Sequence, residues 1–213
     1  MERLFMRKIY FLLFSILLYS TSFSQEIISK ITKSYFRSDP FGGEFSSFMT
    51  HLLKDPSITN KILEKRTDSS LFYFEGTYNA FNPFFFKPKR VEIILTELAI
   101  DLDSLTRDTI YTYQLLAYNN DTKEGTEELR KEFDKIFRRY KGSFSRNNFA
   151  EPPPENKLSG ITYNFFDPMH AVAPFSLSWF GPDEKKEMCL ILTIRMDTYN
   201  NRAILPVPFY APQ

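Results

Sequence analysis

The sequence predicts an α+β protein, a mainly antiparallel sheet with two amphipathic helices on one face. Three observations predict it. Alternating apolar and polar residues recur in several short stretches, and two longer stretches carry apolar side chains at helical spacing. The chain also holds 23 Phe and 12 Tyr against 1 Trp, an aromatic bias suited to pleated surfaces.

The elements follow in order. Arg3, Arg7 and Lys8 precede an uncharged run from Ile9 to Tyr19, and small Ser22 and Ser24 follow it. This pattern predicts a secretory signal peptide over residues 1–24 with cleavage before Gln25. The run is shorter than the roughly 20 residues needed to span a bilayer. The only cysteine is Cys189, so the expected product is exported without a lipoprotein anchor and without an intrachain disulfide.

Residues 25–39 form an N-terminal segment in which Ile27, Ile31 and Tyr35 have helical spacing, with strand left open by the β-branched content. Phe45, Phe48, Met49, Leu52 and Leu53 then fall at i, i+3, i+4, i+7 and i+8, a helix closed by Pro56. His51 lies on its polar side and reads as solvated. Ser57–Arg66 reads as a second, shorter helix.

From Leu71 to Ile100 the pattern is that of two strands joined by an aromatic loop. Phe72, Phe74, Gly76 and Tyr78 share one face and Glu75 and Thr77 the other. Val91, Ile93 and Leu95 alternate with Arg90, Glu92 and Thr96, and a slip near Glu97 predicts a bulge. A third strand, Thr109–Tyr118, completes the meander. Asp121 heads the clearest helix, with Leu129, Phe133, Ile136, Phe137 and Tyr140 as its stripe and Gly142 as its stop. Ser143–Lys157, with three consecutive prolines, reads as an extended linker. Strands follow at Gly160–Phe166, Ala173–Phe180 and Glu187–Asp197, before a Pro-rich tail fit only for an edge.

Thr77-Tyr78-Asn79-Ala80-Phe81-Asn82-Pro83 recurs as Thr162-Tyr163-Asn164-Phe165-Phe166-Asp167-Pro168. Collinear matches pair Glu44–Met49 with Glu132–Phe137 and Tyr118–Asn120 with Tyr199–Asn201. We read these as a tandem duplication of a helix plus three-strand unit, the halves being 40–120 and 121–213 of one compact domain.

Chemistry is sparse. There is no HExxH, GxSxG, phosphate loop or GxGxxG, and two histidines with one cysteine do not make a typical zinc site. Asp101, Asp103 and Asp108 lack the glycine and ligand spacing of a calcium loop. No cofactor and no metal is expected. Removing residues 1–24 takes three basic and one acidic residue from totals of 27 and 26, leaving a nearly neutral chain. That balance gives no footprint for nucleic acid or for an anionic membrane surface.

The expected function is therefore an exported, non-catalytic binding or assembly module of a bacterial envelope or extracellular space. Its partner would be a protein or a small apolar ligand. The binding residues expected are Tyr78, Asn79, Phe85, Tyr163 and Asn164, on or after the paired Tyr-Asn motifs. A second reading is a secreted hydrolase using His170 with Asp167 or Glu75, and a third is a carrier of apolar molecules. Cys189, within an apolar run, reads as a buried inert thiol.

Overall fold

The computed structural model describes residues 26–37, 45–64, 70–101, 107–144, 146–150, 159–166 and 173–196. They form one eight-stranded antiparallel sheet and three helices, a mixed α+β fold. Helix α1 covers residues 26–35, α2 Phe45–Lys54 and α3 Lys123–Tyr140. The strands are β1 Ile58–Glu64, β2 Ser70–Tyr78, β3 Arg90–Asp101, β4 Arg107–Asn120, β5 Arg146–Ala150, β6 Ser159–Phe166, β7 Phe175–Gly181 and β8 Glu187–Met196. The leader region, the Pro-rich tail, Asp167 and His170 lie outside the described residues.

The strand order is β1-β2-β3-β4-β8-β7-β6-β5. Each half is a four-strand meander preceded by a helix, and the two meanders meet at the β4–β8 ladder.

All three helices pack on one face, because that is where alternation puts the large apolar side chains. Phe74, Ile93, Leu95, Tyr113, Leu115, Leu177, Leu192 and Ile194 are almost wholly buried there. They meet Ile31 of α1, Leu52 of α2, and Leu129 and Ile136 of α3 in one core. Rings bridge the layers: Phe36 and Phe48 lie on Tyr113, Phe137 lies on Tyr163 and Phe165, and Tyr140 lies edge-on to Phe175. Close-packed aromatic contacts of this kind add to the free energy of area burial.

Five sequence expectations change. Residues 26–35 are helical, so three helices lie on the sheet rather than two. Ser57–Arg66, read as a helix, contains strand β1 instead. Ile58 is its one buried apolar residue, and ladder hydrogen bonds to β2 override the helical spacing. The stretch read as a linker contains β5, which pairs with β6 from Arg146↔Phe166 to Ala150↔Thr162. Helix α3 is capped by Thr122, whose hydroxyl accepts the Gly125 N–H at 3.0 Å, and it ends at Tyr140, where a 3₁₀ turn Lys141–Ser143 takes over. The slip expected near Glu97 lies on the partner strand, as a register shift between Ser70 and Phe72 opposite Leu98 and Glu97.

Candidate functional site

The side chains that point away from the helices form an outer face. Strand alternation assigns them, and the ladder registers align them in rows. One row crosses all eight strands. Thr59, Thr77, Glu92 and Leu116 come from the first meander, and Ile191, Ser178 and Thr162 from the second, with the Ala150 backbone ending the register on β5. The adjacent row carries Glu75, Ile94 and Gln114, then Thr193, Ser176 and Asn164.

This face is hydrogen-bonded to itself. Thr162 Oγ1 donates to Ser178 Oγ at 2.9 Å, and Ser176 Oγ donates to Asn164 Oδ1 at 2.8 Å. Arg195 Nη1 reaches Ser176 Oγ at 2.7 Å and the Ala173 carbonyl at 3.2 Å. On the other flank, Thr59 Oγ1 donates to Asn79 Oδ1 at 3.1 Å and Tyr73 OH to Glu75 Oε2 at 2.6 Å. Buried polar groups are thereby satisfied without a helix above them.

At one end of the face a charged cluster ties the meanders together. The Glu187 carboxylate is buried and accepts Lys89 Nζ at 2.6 Å and the Arg90 guanidinium. Arg90 Nε also donates to Glu92 at 2.7 Å, and the guanidinium lies 3.6 Å above the centre of the Tyr118 ring. Burial pushes the Glu187 carboxyl up, but the hydrogen bonds from Lys89 and Arg90 outweigh it and hold the group below the usual carboxylate range. Burial also raises the Tyr118 hydroxyl and the Cys189 thiol, so neither ionises at neutral pH. The cluster ties β3, β4 and β8 together through side chains.

The five residues picked from sequence fall in three environments. Tyr78 and Tyr163 stand on the helix side, Tyr78 buried against Phe81 and Tyr163 packed on Phe133 and Phe137. Asn79 and Asn164 belong to the outer face, in different rows and on different halves. Phe85 lies elsewhere again. Its neighbours Phe84 and Phe86 fill the core while Phe85 itself is 82% exposed. The Tyr-Asn motifs therefore do not converge on one site, since successive strand residues point to opposite faces.

Glu75 is bonded to Tyr73 and has no histidine in the described residues beside it. His51 is exposed and borders an open depression of about 430 Å³ lined by Arg37, Thr50, Lys54, Asp55 and Pro56. Those walls are polar and do not suit an apolar cargo. Among the described residues no group of three His, Cys, Asp or Glu is placed to hold a metal ion, and no described helix is long and apolar enough to cross a membrane.

Lys89, Arg90, Tyr118 and Glu187 were missed as a unit. Alternation puts Arg90 and Glu92 on the outer face, but Glu187 joins them only through the β4–β8 pairing. Comparison with family models, with curated proteins and with solved structures finds no match.

Proposed function

We propose that this chain is an exported, non-catalytic binding or assembly module, and that it receives a protein partner on the outer face of its sheet. The observation that carries the reading is the division between the two faces. Every described helix packs on one side, while the other sets the polar side chains Thr59, Thr77, Glu92, Ser178 and Thr162 in register on either side of a central apolar pair, Leu116 and Ile191. Such side chains let another backbone approach closely and supply donors and acceptors to a polar, wet interface.

The test substitutes Thr77→Arg and Thr162→Arg, both half-buried on the outer face, in the full chain. A partner retained from an envelope extract by the wild-type protein should be lost with both substitutions while the melting temperature is kept. An exposed α3 substitution, Glu127→Ala, should leave retention intact. Retention that ignores the outer-face changes, or turnover of a substrate by the purified protein, would overturn the reading. Export is tested separately by N-terminal sequencing of secreted material, which should begin at Gln25.

We also infer a tandem duplication, of a helix plus a four-strand unit rather than the three-strand one expected from sequence. The ladder registers support it. Tyr78 leads through Val91 to Ala117, and Tyr163 leads through Leu177 to Leu192. Placing Tyr78 on Tyr163 therefore carries Leu116 onto Ile191, the residue it faces, as a twofold axis through that pair requires. The same register puts Tyr118 on Thr193. The match of Tyr118–Asn120 with Tyr199–Asn201 is thus out of step with the other, and its second copy lies outside the described residues.

A further inference from the structure

Phe85 is the most exposed large hydrophobic side chain among the described residues, at 82%. Its backbone is nonetheless held from both sides. Phe84 and Phe86 are buried, Phe84 against Tyr35, with their rings 5.7 Å apart. Asn82 closes the turn, its Nδ2 donating to the Phe86 carbonyl at 2.8 Å and its Oδ1 accepting the Phe84 N–H at 2.9 Å. The Phe85 N–H donates to Glu132 Oε2 on α3 at 3.3 Å. The aromatic ring is thus presented outward by a loop whose ordering has already been met in folding.

The surroundings are cationic. The Lys135 ammonium lies over the Phe85 ring, Lys131 and Arg138 are exposed a turn to either side on α3, and exposed Lys87 follows in the loop. From residue 130 to its end, α3 exposes five Lys or Arg side chains against a single exposed acid, Asp134, and Lys141 of the following turn adds a sixth base. The formal charge of the whole chain is only +1, so this is segregation rather than a general excess.

We propose that Phe85 and the C-terminal half of α3 form a docking surface for an anionic lipid bilayer. The Phe85 ring enters the interface while Lys131, Lys135 and Arg138 meet headgroup phosphates. One outward aromatic beside a line of cations matches a surface whose apolar layer lies beneath a plane of negative charge, which a bilayer offers at any register. An acidic protein would have to supply a pocket for the ring at one register. Docking by the helix layer also leaves the outer face of the sheet turned to water. This surface is independent of the partner site proposed above.

The test is Phe85→Trp in the full chain, read at that residue because the apolar N-terminal run could itself bring the chain to a membrane. Trp179, the natural indole, is subtracted with the wild-type protein. With vesicles of phosphatidylcholine and phosphatidylglycerol, the residue-85 emission should shift to the blue and be quenched by brominated acyl chains. Phosphatidylcholine alone should give neither effect. Adding Lys131→Glu and Lys135→Glu should lower the apparent partition coefficient by about tenfold or more, the effect of removing two surface cations and adding two anions. An unshifted, unquenched residue-85 emission at saturating anionic lipid overturns the proposal and leaves the ring to a protein pocket. Equal response to both vesicle types overturns it too.

Discussion

Leu116 and Ile191 face each other across the β4–β8 ladder, at the centre of a row that runs four strands outward on either side. Leu116 is only 7% exposed although no described helix covers that side. Among the described strands the two meanders pair at this junction, so it carries the sheet coupling between halves. On the helix side Leu115 faces Leu192 and Tyr113 faces Ile194 across the same ladder. Splitting the chain between Asp121 and Thr122 would expose both strands as unpaired edges and open half of the core. The two fragments, co-expressed, should therefore elute as a one-to-one complex. Each alone should aggregate or self-associate through its free edge, as seen by light scattering after size exclusion. A folded monomeric half would contradict this.

Glu187 supplies the polar counterpart of that junction. Replacing it by Ala leaves the Arg90 guanidinium, 24% exposed, without its cross-strand carboxylate. The expected loss is about 3 kcal/mol in urea unfolding at neutral pH. Most of it belongs to Arg90, since Lys89 is 52% exposed and screened by solvent. The pH dependence has a definite sign. The folded carboxyl titrates below its ordinary 4.5, so its contribution is present above that value and disappears as pH falls through the lowered folded value. The gap in urea midpoint between wild type and Glu187→Gln should therefore be widest near neutrality and close only in strong acid.

Glu132 should behave in the opposite sense. It is buried at 4% exposure, Oε2 accepts the Phe85 N–H, and Oε1 has no hydrogen-bond partner among the described residues. Burial pushes its carboxyl up despite the nearby Lys135 and the Phe85 N–H. A raised folded value means the charged form is disfavoured in the fold, a penalty present at neutral pH and absent below the unfolded value of 4.5. Glu132→Gln should stabilise the protein by roughly 1 kcal/mol at pH 7. The advantage should fade as pH is lowered and be gone below 4.5. A Gln variant less stable than wild type at neutral pH would show that the carboxylate is compensated.

What could be read from the sequence follows from where burial is one-sided and regular. Phe74, Gly76 and Tyr78, then Val91, Ile93 and Leu95, alternate cleanly because central strands have one face on the core. Leu129, Phe133, Ile136 and Tyr140 declare α3 for the same reason. The edge strands were opaque. In β1 only Ile58 is buried, while Ile62 and Leu63 are 46% and 45% exposed, so no period-2 signal survives. In β5 the residues Arg146–Ala150 owe their conformation to pairing with β6. The outer face was half legible. Alternation places Thr77, Glu92, Thr162 and Asn164 on it, but only the β4–β8 pairing, between residues far apart in the chain, joins them into one surface.

Cys189 gives a chemical check on the packing of that surface. It is 9% exposed, its thiol donates to the Leu190 carbonyl at 3.8 Å, and burial raises its ionisation well above neutrality. The thiolate is the reactive species. The native protein should therefore resist a thiol-specific aromatic disulfide reagent at pH 8 and react with one equivalent after unfolding in guanidinium. Prompt native reaction would mean that the Tyr118–Cys189 end of the face opens readily.

Tyr78 separates packing from binding at the first Tyr-Asn motif. Its ring is 5% exposed and lies 5.0 Å from that of Phe81, while its hydroxyl has no hydrogen-bond partner among the described residues. An unpaired buried hydroxyl costs about 1 kcal/mol or more, so Tyr78→Phe should raise the melting temperature. Tyr78→Ala should instead cost about 3 kcal/mol or more through the cavity it leaves. Tyr163, its counterpart in the proposed duplication, is only half-buried, and Tyr163→Phe should bring no such gain. Partner retention should be unchanged in both Phe variants, because both hydroxyls lie on the helix side of the sheet. Loss of retention in Tyr78→Phe, with a raised melting temperature, would move the binding surface from the outer face to the helix layer.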